Sequence, residues 1–234
     1  GAFLNLLEGE MQNLIASAKL NFGRMLYGNG TGVLGTVASV TGNSIVLDDV
    51  KGCFEGMIVD VVSSESDATI VAARRIGTVD RANKKITLEG AAITAGTISA
   101  DDYVTVQGSY ENEITGLGAI FGTDSILYGI DRDTHKWLKP YSKTSTTITD
   151  AVIQGVIDTV EENSGMYADM MVCSAGVKRA YLDYLVTNRM NVEYMQTSDG
   201  TQAISYQGIP IVSDRFCPAK TMYVLHTPSF RIYQ

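Results

Sequence analysis

The sequence predicts an α+β fold that carries an inserted, barrel-like all-β module. Three observations point there. A long stretch with helical apolar spacing opens the chain, a twice-repeated strand pattern fills the middle third, and the last third alternates helix-like with strand-like segments. The 234 residues are 45% apolar and 19% charged, ordinary for a chain with a packed core.

The first element runs from Phe3. Leu7, Met11, Leu14, Ile15, Ala18, Phe22 and Met25 recur at helical spacing, with Glu8, Gln12, Asn13, Lys19 and Asn21 between them. That pattern predicts an amphipathic helix of about 22 residues. Arg24 falls in its last turn, where a cation suits the negative helix end. Gly28 is expected to stop the helix in the left-handed conformation.

The loop that follows contains Gly30, Gly32, Gly35 and Val37, a G-x-G-x-x-G-x-V pattern. A dinucleotide fingerprint follows a strand and opens a helix, so that the helix N-terminus holds the pyrophosphate. Here the order is reversed. No lysine follows the last glycine, and V-A-I-K, H-R-D and D-F-G are absent downstream. The glycines are therefore read as turning the chain after a helix.

The middle third repeats. "LGTVASVTGNSIVLDDV" from Leu34 is matched by "IGTVDRANKKITLEGA" from Ile76, a period of about 42 residues. Each copy is followed by a strand-like run, "GMIVDVV" and then "DYVTVQG". Val33 to Gln107 is read as roughly six strands in two pseudo-equivalent halves, closed into a small barrel. Its acids, among them Asp48, Asp49, Asp60, Asp101 and Asp102, are expected in solvated turns, because none forms a calcium-spaced loop.

The last third opens with a glycine-punctuated, loop-rich stretch from Glu111. "TDAVIQGVIDTVEENSG" predicts a helix capped by Thr149 or Asp150, buried through Val152, Ile153, Val156, Ile157 and Val160, and ended by Gly165. "ADMMVC" predicts a buried strand. "SAGVKRAYLDYLVTNRM" predicts a second helix burying Val177, Ala180, Tyr181, Tyr184 and Leu185. "AISYQGIPIV" predicts a hairpin turning at Gln207-Gly208, with Pro210 at an edge or bulge. "TMYVLH" and "FRIYQ" predict further short strands, and an ending inside the last strand suggests truncation.

Ser174 sits in "VCSAG" at a strand-to-helix turn, like a hydrolase nucleophile elbow. Val172 replaces the first glycine of G-x-S-x-G, and the two histidines, His135 and His226, have no marked acid partner. A helix N-cap, its oxygen accepting a free backbone N–H, accounts for Ser174. The sequence therefore names no catalytic, cofactor or metal residue.

Charge and cysteine usage bound the partners. The net charge is −8 and the 18 basic residues are scattered, the nearest clusters being Arg74-Arg75 and Lys84-Lys85. Direct nucleic-acid binding is disfavoured. No apolar run approaches about 18 residues, so no membrane span is expected. No secretory signal is visible. Cys53, Cys173 and Cys217 lack metal-ligand spacing and read as buried, reduced thiols of a cytosolic protein.

Three features together resemble the major capsid proteins of tailed bacteriophages, the Hong Kong 97-type shell fold. The first is a long helix running into "MLYGNGTGVLGTV", similar to the G-[DN]-G-T-G run after that family's spine helix. The second is "AVIQGVIDTVEENSGMYADMMVCSAGVKRAYLDYL", similar to a helix, short strand, polar cap and helix of the A domain. The third is "YQGIPIVSDRFCPAKTMYVLHTPSFRI", similar to a Gly-x-Pro-apolar strand, a turn ending in Pro, and a sheet-closing strand.

The resemblance covers Leu6 to Val33 and about Gly108 to Ile232. It implies three parts: 1–32, spine helix and turn of the peripheral domain; 33–110, the inserted β-module; 111–234, the capsid-type α+β core. It also implies that an N-terminal arm, an extended loop and the end of the peripheral domain lie outside this chain. The implied role is structural, a non-enzymatic subunit of an icosahedral phage or prophage head. Such a subunit is made in the bacterial host cytoplasm and ends in the virion capsid. Its main partner would be itself, with scaffold, protease or portal proteins and weak, non-specific contact to packaged DNA. Other readings are an encapsulin-like shell, a Ser174 hydrolase, and a β-module that binds sugar or calcium.

Overall fold

In the computed structural model, which describes residues 2–196, 200 and 202–232, the chain divides into two units. One is Gly1–Leu138 and the other Lys139–Gln234. The mixed α+β class expected from the sequence is observed.

The first unit begins with helix α1, Ala2–Tyr27, 26 residues long and so longer than the apolar pattern predicts. Gly28 does not end it as expected. It has no positive φ; its N–H donates to the Met25 carbonyl at 3.0 Å, which tightens the last turn, and the chain first turns left-handed at Gly30, φ 95°. Glycine is needed across from the helix end instead. A Cβ on Gly116 would stand 2.5 Å from the Met25 and Leu26 carbonyl oxygens.

Six strands follow: β1 (Val33–Thr41), β2 (Ser44–Leu47), β3 (Ile58–Val62), β4 (Thr69–Asp80), β5 (Lys85–Leu88) and β6 (Tyr103–Val106). They close into a barrel of order β1-β2-β5-β4-β3-β6, with all pairs antiparallel. The two sequence copies become β1-β2-β3 and β4-β5-β6. Exchanging the copies (β1 for β4, β2 for β5, β3 for β6) leaves the order of neighbours unchanged, so the barrel has a pseudo-two-fold axis. The exchange is interlocked: β3 pairs with β4, the first strand of the other copy, and β6 with β1. Neither half can satisfy its own edges. Leu34, Val37, Ile45, Leu47, Val59, Val61, Ile76, Ile86, Leu88 and Val104 fill the interior, as the strand alternation predicts.

After the barrel come α2 (Leu117–Ile120) and a short ribbon of β7 (Ile126–Leu127) with β8 (Ile130–Asp131). Buried Arg132 donates to the carbonyls of Ala119 (2.7 Å), Ile120 (2.8 Å) and Gly122 (2.8 Å). One guanidinium thus organises a stretch that periodicity left as loop.

The second unit holds α3 (Asp150–Ser164), β9 (Met170–Cys173), α4 (Ala175–Thr187), β10 (Tyr194–Gln196), β11 (Gln202–Tyr206), β12 (Ile209–Ser213) and β13 (Met222–Leu225). Thr149 Oγ1 accepts from Val152 N–H at 3.3 Å, and Gly165 ends α3 at φ 69°. The sheet has the order β10-β11-β12-β9-β13, with only β12–β9 parallel. Ile153, Ile157, Tyr181 and Leu185 pack with Met171, Cys173, Ile204 and Ile211.

Three details differ from expectation. Ala180 is exposed, and Leu182 packs with the core in its place. Pro210 lies in a strand with neighbours on both sides, not at an edge; its missing donor is tolerated because pairing with β9 starts one residue later, at Ile211. "FRIYQ" forms no strand over Phe230–Ile232: a 3-10 turn at Thr227–Ser229 precedes it, and Tyr233 and Gln234 lie outside the described residues.

Candidate functional site

The glycine loop after α1 is bound to its own chain. The Gly30 carbonyl accepts from Glu113 N–H (3.3 Å) and the Thr31 carbonyl from Glu111 N–H (3.0 Å). A Cβ on Gly32 would stand 2.6 Å from the Ser109 carbonyl oxygen. These glycines permit close backbone approach between 30–32 and 109–113.

The same junction holds a buried ion pair. Arg24 donates through Nη1 to Glu113 Oε2 at 2.9 Å and through Nη2 to Oε1, with the carboxylate 2% exposed. Arg24 was expected to serve the helix end. Its guanidinium instead forks onto a carboxylate 89 residues away.

Two acids expected in solvated turns are buried. Asp60 accepts from Ala73 N–H (2.7 Å) and Gly108 N–H (2.9 Å). Asp102 accepts from Ser64 N–H (3.0 Å) and Ser99 N–H (2.7 Å). Each carboxylate bridges connections that strand pairing leaves without partners. Among the described residues no cluster of His, Cys, Asp or Glu is arranged to hold a metal ion.

Ser174 lies at the N-cap position of α4 with extended backbone, φ −70° and ψ 152°. Its hydroxyl makes no capping bond, contrary to expectation; buried, it has no hydrogen-bond partner. A nucleophilic serine needs a base within hydrogen-bond reach. Nδ1 of His226 lies 2.7 Å from Ser229 Oγ, and the Asp169 carboxylate accepts from Thr227 N–H (2.7 Å). The three thiols are buried. Burial pushes Cys53 up to about 12 and Cys173 up to about 11, so neither is a thiolate near neutrality.

The surface most in need of explanation is the long helix. Leu7, Met11, Leu14, Ile15, Phe22 and Leu26 are exposed, Leu14 at 71% and Met11 at 57%. At about 100° per residue they share one stripe about 120° wide. The expectation of an amphipathic helix holds in pattern, but its apolar face lies open. No described helix is long and apolar enough to cross a membrane. Comparison with known protein families, with curated proteins and with solved structures found no match.

Proposed function

We propose that this chain is a subunit of a self-assembling icosahedral shell of the tailed-bacteriophage major capsid type. The observation that carries the reading is the open apolar stripe of α1. A helix about 39 Å long that buries little of its apolar face is marginal in water by itself. A contiguous exposed patch of this kind marks an interaction surface. The order of parts supports the same reading: a long helix, a glycine turn, an inserted barrel, then a helix-strand-helix unit with a Gly-x-Pro strand. A shell wall needs no catalytic group, and its acidic balance suits a container that does not grip DNA.

In this role the principal partner is the same subunit. Scaffold, protease and portal proteins are auxiliary partners, and the finished protein resides in the virion capsid. The test is sedimentation of the complete gene product beside a variant carrying Leu14→Glu and Ile15→Glu. The reading predicts large closed particles for the former and small species for the latter. Unchanged assembly in the variant would remove α1 from the contact.

A further inference from the structure

We propose that the outer face of the barrel carries a binding site for a neutral saccharide, built around the stacked rings of Tyr103 and Tyr110. The two rings lie 6.3 Å apart with an interplanar angle of 18°. They border a hollow of about 410 Å³ that Asn29, Thr31, Val33 and Thr36 complete. That volume falls in the range of small-molecule sites.

The hollow is held from three directions. A register shift in the β1–β6 pairing between Val33 and Gly35 returns both Val33 and Thr36 to the outer side, with Thr36 opposite Tyr103. Bulges re-aim side chains in this way beside functional sites. Tyr110 is anchored at its tip, where its hydroxyl donates to Asp67 Oδ1 at 2.6 Å. Its backbone is anchored too, because Asn112 Nδ2 donates to the Tyr110 carbonyl at 2.9 Å. The hydrogen bond to Asp67, first among the causes, pushes the Tyr110 phenol up to about 12, so the ring stays neutral.

Chemistry selects the ligand class. The lining contains no charged side chain. Asn29 Oδ1 is occupied by Thr31 N–H (3.2 Å) and Thr31 Oγ1 (2.6 Å), which turns Nδ2 free as a donor. Thr36 and Tyr103 add further hydroxyls to the lining, and neither hydroxyl is hydrogen-bonded among the described residues. Flat aromatic faces beside free amide and hydroxyl groups suit the apolar face and hydroxyl edge of a sugar ring. Asp67 and Glu111 stand nearby without a lysine or arginine in the lining, which opposes phosphate-bearing ligands.

The test is ligand-observed saturation-transfer NMR on the whole chain. The probes are maltose, cellobiose and N,N′-diacetylchitobiose, with choline and adenosine 5′-monophosphate as competing classes. At least one disaccharide is expected to take up saturation. Tyr103→Ala should weaken that binding by about tenfold or more. Asn29→Asp keeps the acceptor for Thr31 and removes the Nδ2 donor, so it should also weaken binding while the backbone spectrum stays unchanged. Ser174→Ala should have no effect. Silence from all three disaccharides at tens of millimolar, or binding of choline or the nucleotide alone, overturns the proposal. So does saccharide binding that both variants leave intact.

Discussion

Thr149 and Ser174 occupy equivalent positions at the starts of α3 and α4, yet only the Thr149 hydroxyl accepts a capping bond, from Val152 N–H. Thr149→Ala should therefore cost about 1 kcal/mol in urea unfolding. Ser174→Ala, which removes a buried hydroxyl without a partner, should be close to neutral or slightly stabilising. Equal losses would mean that Ser174 caps after all. The Arg24–Glu113 pair gives the opposite kind of residue. Glu113→Ala leaves a buried guanidinium uncompensated and should cost about 3 kcal/mol, whereas replacing both partners with apolar residues of similar volume should cost less. Thiol titration follows burial. Cys53 rises from 9.0 unfolded to about 12 folded. Its stabilising contribution is complete below about pH 9 and lost as pH climbs towards 12, because the folded state then holds a proton that the unfolded state releases. Iodoacetamide should accordingly label the native thiols slowly at pH 8 and all of them rapidly in denaturant. Local signals such as Thr149, Gly165 and the Gln207-Gly208 turn could be read from the sequence because their partners lie within a few residues. Glu113, Asp60, Asp102 and Arg132 could not, because their burial depends on backbone groups and charges brought from far along the chain.

At the scale of elements, the barrel was readable because its repeat encodes the strand pattern twice, and alternation then assigns the core. The exchange of β3 and β6 between the copies was not, since periodicity says nothing about pairing partners. The exchange has a consequence for folding. Val33–Val62 expressed alone lacks the partner for β3 and should remain unfolded, with little strand signal in circular dichroism. Gly32 to Tyr110, which contains both copies, should give a dispersed NMR spectrum. A folded half would show that the copies are independent. Phe230–Ile232 forms no strand because β-propensity over a few residues is weak by itself. Gly28 failed because a helix can also stop by tightening its last turn, and here Gly116 and Gly118 approach that end from across the unit. Gly116→Val should destabilise the first unit more than Gly28→Ala, measured as the loss of melting temperature.

At the scale of the whole molecule, the α+β class with its closed six-stranded barrel follows from the sequence pattern and is observed. The proposed function rests on a different kind of observation, a helix with a continuous apolar stripe and little of it covered. Periodicity revealed the stripe. It could not reveal that the stripe stays open, because cover is a property of the assembled molecule. The central claim is that this surface belongs to a shell subunit. Electron microscopy of the complete gene product, expressed in bacteria, tests it most directly. The account predicts closed shells, or rings of five or six subunits, that Leu14→Glu with Ile15→Glu prevents from forming. Monomers under every salt condition, with the stripe still exposed, would contradict it.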